Sequence, residues 1–563
     1  MHTPTTQARP SIYYTYEVFK PWLASEHPQQ SRQKVVIVGS GPAGMVTALE
    51  LARHGVASVV LSSELQFSQG SRAICFTRRS MEILQQVGVA DRMTEGGLPW
   101  RFGNSYYRGQ RVFRMEAPHD ADDRFFPIIN VQQQFMEEYL HDACKANPLI
   151  DFRWGNKVNQ VDQKDGYAVL EVDTPEGIYT LESDWVVAAD GGRSGIRSAM
   201  NLEMEGASYE GFFVIADIKV DLPLPTERLA YFDPDWNPGN TILMHREPNG
   251  IWRVDYQLPP GETPEEALRP ESLKQRIDAQ LKMIGFEGTP WEMDWNSVYS
   301  ARTLTLLQYV HKRIVFTGDA AHLLPIFGVR GANTAFQDAQ SLGWHLAFVL
   351  KGLAPEKLMQ NHSTERVGAA REIITEAGKS TRFMAPPSRG FRLLRDAVLS
   401  LSLTQEFVRP LYHWRTSRPH EYSRSLLNSP CDDNAQFTGG PALGAPPQNV
   451  QFQADNYLLD HLGGGFDLVY VADSHGIPVD IAQAVASLQA QGLPVKLIAI
   501  STHAHAVEGA NLTLHDPHMR FQERYAVQAG GAYLFRPDQH ICARWLQLDA
   551  ARLTQSLQVA CMR

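Results

Sequence analysis

At 563 residues the chain has room for roughly three or four domains of about 150 residues each, which excludes a lone binding module. Its composition, 43% hydrophobic, 20% charged and 10% aromatic, is that of a soluble globular protein and excludes a disordered or fibrous chain. With 52 Lys and Arg against 62 Asp and Glu the formal net charge is −10, so nucleic acid, whose phosphates need a basic footprint, is not expected as the main partner.

No apolar stretch reaches the ~18 residues that span a bilayer. The N-terminus lacks a basic segment followed by an apolar one, so a cytoplasmic protein without membrane contact is expected. Residues 1–33 read as a surface extension, polar apart from the aromatic stretch 12–22, with no recognisable chemistry. From Lys34 the pattern changes. Val35-Val36-Ile37-Val38 is a β-branched strand, Gly39-Ser40-Gly41-Pro42-Ala43-Gly44 a tight turn, 45–54 a helix, and Val59-Val60-Leu61 a second strand. This βαβ unit of ~30 residues is the context that gives a GxGxxG its meaning. The first helix N-terminus would face a pyrophosphate, with Gly39 permitting the turn, Gly41 the close approach and Gly44 the helix packing, and Ala43 in the same turn. The acidic residue that should hold the ribose hydroxyls ~20 residues on is less clear. The second strand ends at Ser62, followed by Ser63 and Glu64; Glu64 reaches back, or Ser62 substitutes more weakly.

Short strands are expected at 158–161, 167–172 and 185–189, and further β-rich text fills 210–300, as a mainly antiparallel sheet inserted into the first domain. That domain resumes at Arg313-Ile314-Val315-Phe316, with a long helix over 333–350. A Ser, Pro, Asn and Gly-rich stretch at 426–449 reads as a linker before a small α/β domain at 450–563. The division is therefore an extension 1–33, a first part 34–205, a sheet domain 206–305, a second part with helices 306–425, the linker, and the C-terminal domain. Cys75, Cys144, Cys431, Cys542 and Cys561 are too scattered for a disulfide framework or a metal site, and read as buried small hydrophobes.

Four segments carry a resemblance. They are Gly39 to Gly44, Ser71-Arg72-Ala73 before a helix, Asp190-Gly191-Gly192-Arg193-Ser194 after a strand, and Gly318-Asp319 running on to Gly328-Val329-Arg330-Gly331-Ala332-Asn333. In this order the chain resembles the FAD-dependent aromatic monooxygenases of the para-hydroxybenzoate hydroxylase fold, in particular the larger members typified by phenol hydroxylase and 3-(3-hydroxyphenyl)propionate hydroxylase. The resemblance implies an α/β protein: a Rossmann-like FAD-binding domain, the inserted sheet as substrate domain and a thioredoxin-like C-terminal domain. It implies tightly bound FAD, NADH or NADPH as a transient co-substrate, O2, a small aromatic substrate and a homodimer. By the same resemblance Asp319 after Gly318 meets the ribityl and pyrophosphate region. The turn from Gly328 through Gly331 and Ala332 to Asn333 aims N–H groups at the flavin N1–C2=O edge, where they favour the anionic reduced flavin. Arg72 meets the phosphates, Gln133 the flavin chain, and Val158 the adenine end. Asp190 and Arg193 match a nucleotide-binding motif, although Asp190 equally reads as a helix-start cap. His322 is structural in the family. Two departures stand out: the family often pairs prolines where this chain has Pro325-Ile326, and Arg330 replaces a small or Gln residue. Arg330 either sets a cation beside the flavin or turns outward.

In the strand around 251–258, alternation puts Arg253, Asp255 and Gln257 on one face and Val254, Tyr256 and Leu258 on the other. By resemblance Arg253 touches the flavin and Asp255 replaces a tyrosine at the substrate hydroxyl, so the expected catalytic set is Arg253, Asp255 and Pro325. A partly buried carboxylate at Asp255 would accept a phenol's proton; the alternative is an ion pair with Arg253 or Arg246. Arg246 aligns with a substrate-side arginine only with an offset of one residue, and Tyr231, His245 and Tyr256 are further pocket candidates. The chain carries a single dinucleotide fingerprint, so the electron donor should bind transiently. The implied activity is aromatic hydroxylation through a flavin C4a-hydroperoxide. The alternatives are oxygenative removal of a nitro or halide group, and a flavin scaffold without turnover. The C-terminal segment has no CxxC, so it is expected to support the fold or a subunit interface.

Overall fold

A computed structural model describes residues 1–27, 31–70, 72–259, 261–325, 327–412, 418–430 and 432–563, without the side chains of 208–211, 301 and 432. Ser71, Ile326 and Cys431, each part of a sequence expectation, lie outside the described residues. The four described cysteines are buried and unbridged. Among the described residues, no helix is long and apolar enough to cross a membrane.

The strand Gln33–Val38 is buried along its β-branched run because both faces of its sheet are packed, Val35 and Ile37 in a core with helix residues such as Met45 and Phe336, Val36 and Val38 in a core with Leu170, Val172 and Val367. It lies between Gly177–Ala188 and Ser58–Leu61, parallel to both, with Val36 opposite Val186 and Val59. Ile314–Phe316 extends one side of this sheet and Ile150–Arg153 the other. The chain therefore does resume the first sheet after 310. The helix Pro42–Arg53 begins with proline in its first turn, where its missing N–H costs nothing, and ends before Gly55 at φ 70°. Its apolar side packs with Gly331–Leu350 in one core that contains Met45, Leu49, Phe336 and Leu342.

The second sheet is mostly antiparallel. Its path runs His322–Leu323, Trp291–Thr305, Glu205–Val220, Ile251–Gln257, Thr241–Arg246, Arg228–Phe232, Phe102–Tyr107 and Gln110–Glu116. Its last two strands come from the chain before 206, so the sheet draws on more sequence than the inserted segment. One face is covered by the helix Pro270–Met283: Trp252, Val254 and Tyr256 meet Leu273, Ile277 and Leu281 there. Its other face turns toward the first domain. The C-terminal sheet has the order Leu512–His515, Val495–Ser501, Phe466–Val471, Ala532–Phe535 and Ile541–Trp545, three parallel strands followed by two antiparallel ones.

Candidate active site

The glycines of the first turn divide by what surrounds them. A Cβ on Gly39, at φ 113°, would lie 2.2 Å from the Ala189 carbonyl oxygen, and one on Gly44 would lie 2.0 Å from the Gly39 oxygen. The protein's own backbone therefore requires these two. A Cβ on Gly41 would meet nothing within 4 Å, and Gly41 and Ala43 face a cavity of about 420 Å³. The helix that starts here has no side-chain cap hydrogen bond, which leaves its first turn without a capping side chain beside that space. A second uncapped helix, Gly331–Leu350, opens onto the same cavity through Gly331, Ala332 and Asn333. The two turns touch: a Cβ on Gly318, at φ 59°, would lie 2.8 Å from the Ala43 Cβ. Two helix N-termini beside one cavity, with an open approach at Gly41, fit the pyrophosphate and the electron-rich ring edge of a flavin dinucleotide.

The side chains between them are held in place. Gln133 Oε1 accepts from Ala73 N at 3.0 Å and its Nε2 donates to Glu137 Oε1 at 2.7 Å. Asn333 Oδ1 accepts from Thr77 N at 2.8 Å and Ser80 Oγ at 2.6 Å, while its Nδ2 donates to Cys75 O at 2.9 Å. Arg72 and Asp319 both line the cavity. Enclosure raises the Asp319 carboxyl, and the nearby His322 and Arg72 pull it back. Arg330 is buried on the wall, with Nε donating to Phe327 O at 3.4 Å, so it does not turn outward. Gly318, Gly328, at φ 95°, and the buried Pro325 shape the second turn from behind and are not wall residues. His322 Nε2 donates to Asp338 Oδ2 at 2.6 Å, in a buried structural pair.

Other expected cofactor residues lie off the cavity. Ser62 Oγ bonds Ser40 Oγ at 2.8 Å, the Ser63 carbonyl meets the His2 ring at 2.6 Å, and Glu64 pairs with Arg9 at 2.9 Å. The N-terminal extension thus occupies the acidic residue that ribose hydroxyls were expected to claim. Val158 sits on the outer strand Lys157–Gln163. Asp190 acts at the helix start, where Oδ2 accepts from Ile196 N at 3.2 Å; its buried Oδ1 has no hydrogen-bond partner. Arg193 is exposed, and Arg197 instead ties this loop to the second turn by donating to Gly192 O at 2.7 Å and Ala320 O at 3.0 Å.

The sheet supplies the floor: Ile215, Arg228, Leu243, His245, Arg253, Asp255 and Tyr299. Arg253 clasps Asp217, its neighbour across the strands, with Nε and Nη2 at 2.8 Å each, and pairs with Glu247 at 3.3 Å. Asp217 and Glu247 are thus carboxylate partners of Arg253 that the alternative reading of an Asp255 ion pair had not included. Asp255 lies between Ile215 and Leu243 on the adjoining strands, and its Oδ1 has no hydrogen-bond partner. Burial first, then Asp217, push its carboxyl up to about 7 against the pull of Arg253 and Arg228. Tyr299 Oη also has no partner, and burial followed by Asp255 raises its phenol well above the ordinary value. His245 Nδ1 is 3.8 Å from Cys75 Sγ; burial and the two arginines hold the ring well below its usual pKa, and hence neutral. Burial lowers Arg228 and lifts the Cys75 thiol to about 12.

Three substrate candidates need correction. Tyr256 packs in the core under Pro270–Met283, Tyr231 stacks on Tyr106 at 5.0 Å on that same outer face, and Arg246 donates to Leu224 O at 2.8 Å. Strand alternation is the cause: His245 faces inward, so Arg246 cannot, and Tyr256 alternates with Asp255. Arg228, Tyr299 and Cys75 were missed. A lone arginine in the apolar strand Arg228–Phe232 was the available signal for the first; Tyr299 lies in a long strand with no local signal.

Comparison with known proteins agrees with this geometry. The model of the FAD binding domain family matches residues 32–377. The chain is 27% identical over 373 residues to a 3-(3-hydroxy-phenyl)propionate/3-hydroxycinnamic acid hydroxylase of Comamonas testosteroni, covering 66% of this chain and 62% of that protein. A hydroxylase of the same name from Klebsiella pneumoniae is 24% identical over 526 residues, 91% of this chain and 92% of its own length. The chain spans 62% and 60% of the length of the first two curated relatives it matches. Among solved structures, the flavin-dependent monooxygenase PieE in complex with FAD and substrate superposes with a TM-score of 0.80 at 21% identity, over 95% of this chain and 99% of that one. Aklavinone-11 hydroxylase with FAD and aklavinone gives 0.76 at 22%, over 95% and 100%. These likenesses are of fold. The chain belongs to the FAD binding domain family, and its cofactor is FAD.

Proposed function

We propose that the protein is a single-component monooxygenase that uses FAD, NADH or NADPH, and O2 to hydroxylate a phenolic or related aromatic ring. The observation that carries this reading is Asp255: a carboxylate with an unpartnered oxygen, on the floor of the cavity onto which both uncapped helix starts open. The names of the hydroxylases to which the chain is similar support the same substrate class.

In this reading Gly41, Ala43, Arg72, Gln133, Asp319, Gly331, Ala332 and Asn333 hold the dinucleotide along the upper wall. Bound there and reduced by the pyridine nucleotide, FAD would supply the activation of O2 and the transfer of one oxygen atom. The aromatic substrate would lie between this wall and the sheet. Asp255 Oδ1 accepts the proton of the substrate hydroxyl, which raises electron density on the ring. Arg228 offers a positive charge to the resulting oxyanion, and Tyr299 Oη donates to it. Neutral His245 and the Cys75 thiol fill the floor without competing charge. Ile215, Leu243, Leu323 and Leu324 exclude water around the ring.

The test is a panel of phenols given to the FAD-loaded protein, scored for NADH and NADPH oxidation and for product mass. A product heavier by one oxygen atom, formed with substrate-stimulated oxidation, is expected; no stimulation by any ring substrate overturns the reading. Nitrite or halide release from substituted phenols would move the activity to oxygenative group removal. A homodimer, implied by resemblance, is checked by light scattering.

A further inference from the structure

A second cluster of buried charge lies where the C-terminal sheet meets the helices Gly331–Leu350 and Lys357–Met384. Arg536, fully buried, grips Glu365 with both arms of its fork, Nη1–Oε1 2.8 Å and Nη2–Oε2 2.9 Å. It also donates to Asp538 through Nε at 3.0 Å and Nη2 at 2.5 Å, and Trp344 Nε1 donates to Asp538 Oδ2 at 3.0 Å. Burial alone would raise the Glu365 carboxyl; Arg536 reverses this and holds it down to about 2, so the pair is charged at neutral pH.

The contacts run from this clamp in two directions, and each ends on the cavity. Next to Glu365 on its helix, Arg366 donates to Asp338 at 2.5 Å. Asp338 in turn bonds His322 at 2.6 Å and accepts from Gly318 N at 3.4 Å, one residue before Asp319. On the other side, Asp538 O and Gln539 Oε1 accept from Arg79 at 3.0 and 2.7 Å. Arg79 shares the helix Arg78–Gln86 with Ser80, whose Oγ donates to Asn333 at 2.6 Å. No described wall residue comes from 450–563. Desolvating so many charges is poorly explained by stability alone, because apolar residues of like volume usually serve as well or better. A network that fixes geometry is the better account.

We propose that the C-terminal domain is a cofactor-positioning module, and that the Arg536–Glu365 clamp sets Asp319, through the turn at Gly318, and the segment 331–333, which face FAD. Arg536 and Glu365 are positioning residues, acting through Asp338 on one side and through Arg79 on the other. The proposal rests on the assignment of the cavity to FAD.

The experiment compares Glu365→Gln, which keeps shape and removes charge, and Arg536→Lys, which keeps charge and removes the fork, with Leu553→Ala in the full-length chain. Leu553 is buried in the C-terminal core and carries no polar group that could join the hydrogen bonds of the clamp. Thermal midpoints of the apoprotein, FAD dissociation constants and the visible spectrum of bound flavin are measured for each. Both clamp variants are expected to weaken FAD binding about threefold to thirtyfold, the range of coupling seen along packed networks, and to shift the flavin spectrum. Leu553→Ala should lower the midpoint at least as far while keeping the wild-type affinity and spectrum. Unchanged affinity and spectrum in the clamp variants overturn the proposal. So does a Leu553→Ala protein that loses affinity in proportion to its midpoint. A wild-type chain that takes up no FAD overturns the cavity assignment instead, and the proposal with it.

Discussion

A carboxyl group enclosed by apolar strands keeps its proton to higher pH than one in water, and two nearby guanidinium groups only partly offset this at Asp255. With its carboxyl near 7, the ionised form needed to accept a phenol proton is lost as pH falls through that value. Wild-type kcat/KM should therefore show an acid limb with an inflection near pH 7. Asp255→Asn should lack that limb and turn over more slowly across the whole range while keeping FAD bound; an unaltered profile in the variant removes Asp255 from the chemistry. The same shift fixes a sign for stability. The folded state holds the Asp255 proton at pH values where the unfolded chain has released it, so this group's contribution is complete below the unfolded carboxylate value and declines as pH rises toward 7. The melting temperature of Asp255→Asn should gain on wild type between pH 5 and pH 8. Arg228 is the counterpart of this carboxylate on the floor. Arg228→Met should raise KM for phenols about tenfold to a hundredfold, the worth of a hydrogen bond to a charged group, with FAD affinity unchanged; equal losses in both would make its role structural.

At the scale of the elements, the first turn separates what the fold needs from what the ligand needs. Gly41 has φ −73° and open space at its Cβ position, so Gly41→Ala should leave the apoprotein within about 1 kcal/mol of wild type. The new methyl group projects into the cavity and should weaken FAD binding by about tenfold or more, as loss of a close backbone approach implies. Gly39→Ala and Gly44→Ala should instead destabilise the apoprotein by more than about 1 kcal/mol, because the added Cβ collides with carbonyl oxygens. Parallel melts and flavin titrations of the three variants check this; equal behaviour would dissolve the distinction. The turn, its strand and its helix were legible in sequence because a local pattern dictates them. The floor was only half legible. Alternation along Ile251–Gln257 placed Arg253 and Asp255 on the inner face, yet the partner of Arg253 lies on another strand: Asp217, 36 residues earlier, is opposite it only through register. Register between strands also decides that His245 and not Arg246 looks inward, and no single-strand pattern contains it.

Across the whole molecule, contacts between distant segments do not follow from local composition or strand periodicity. The strands Phe102–Tyr107 and Gln110–Glu116 join the second sheet from within the first domain's sequence, because Phe102–Tyr107 pairs in parallel with Arg228–Phe232 more than 100 residues away. The N-terminal extension is a second case. Its polar text gave no sign that it would tie two domains. Arg9 pairs with Glu64 and donates to Phe67 O, Tyr16 Oη donates to Ser68 O at 3.2 Å and accepts from Gly70 N at 3.1 Å, and Phe19 stacks on Trp154 at 4.4 Å. Between these anchors on the first domain, Ser11 Oγ and Ile12 N both donate to Asp294 Oδ1 at 2.7 Å, on the strand Trp291–Thr305 of the second sheet. The segment so clamped, 62–70, leads directly to Arg72, and its Ser68 lines the cavity beside Arg72. Removing residues 1–12 deletes the Arg9 and Asp294 contacts and leaves Tyr16 and Phe19 in place, so the fold should persist with a lower melting temperature. Release of 62–72 should raise the rate at which FAD dissociates, while KM for the aromatic substrate, set on the floor by Asp255 and Arg228, should change little. Stopped-flow release of FAD from the truncated and intact chains decides the matter: equal rates would mean that the extension braces the fold without shaping the dinucleotide site.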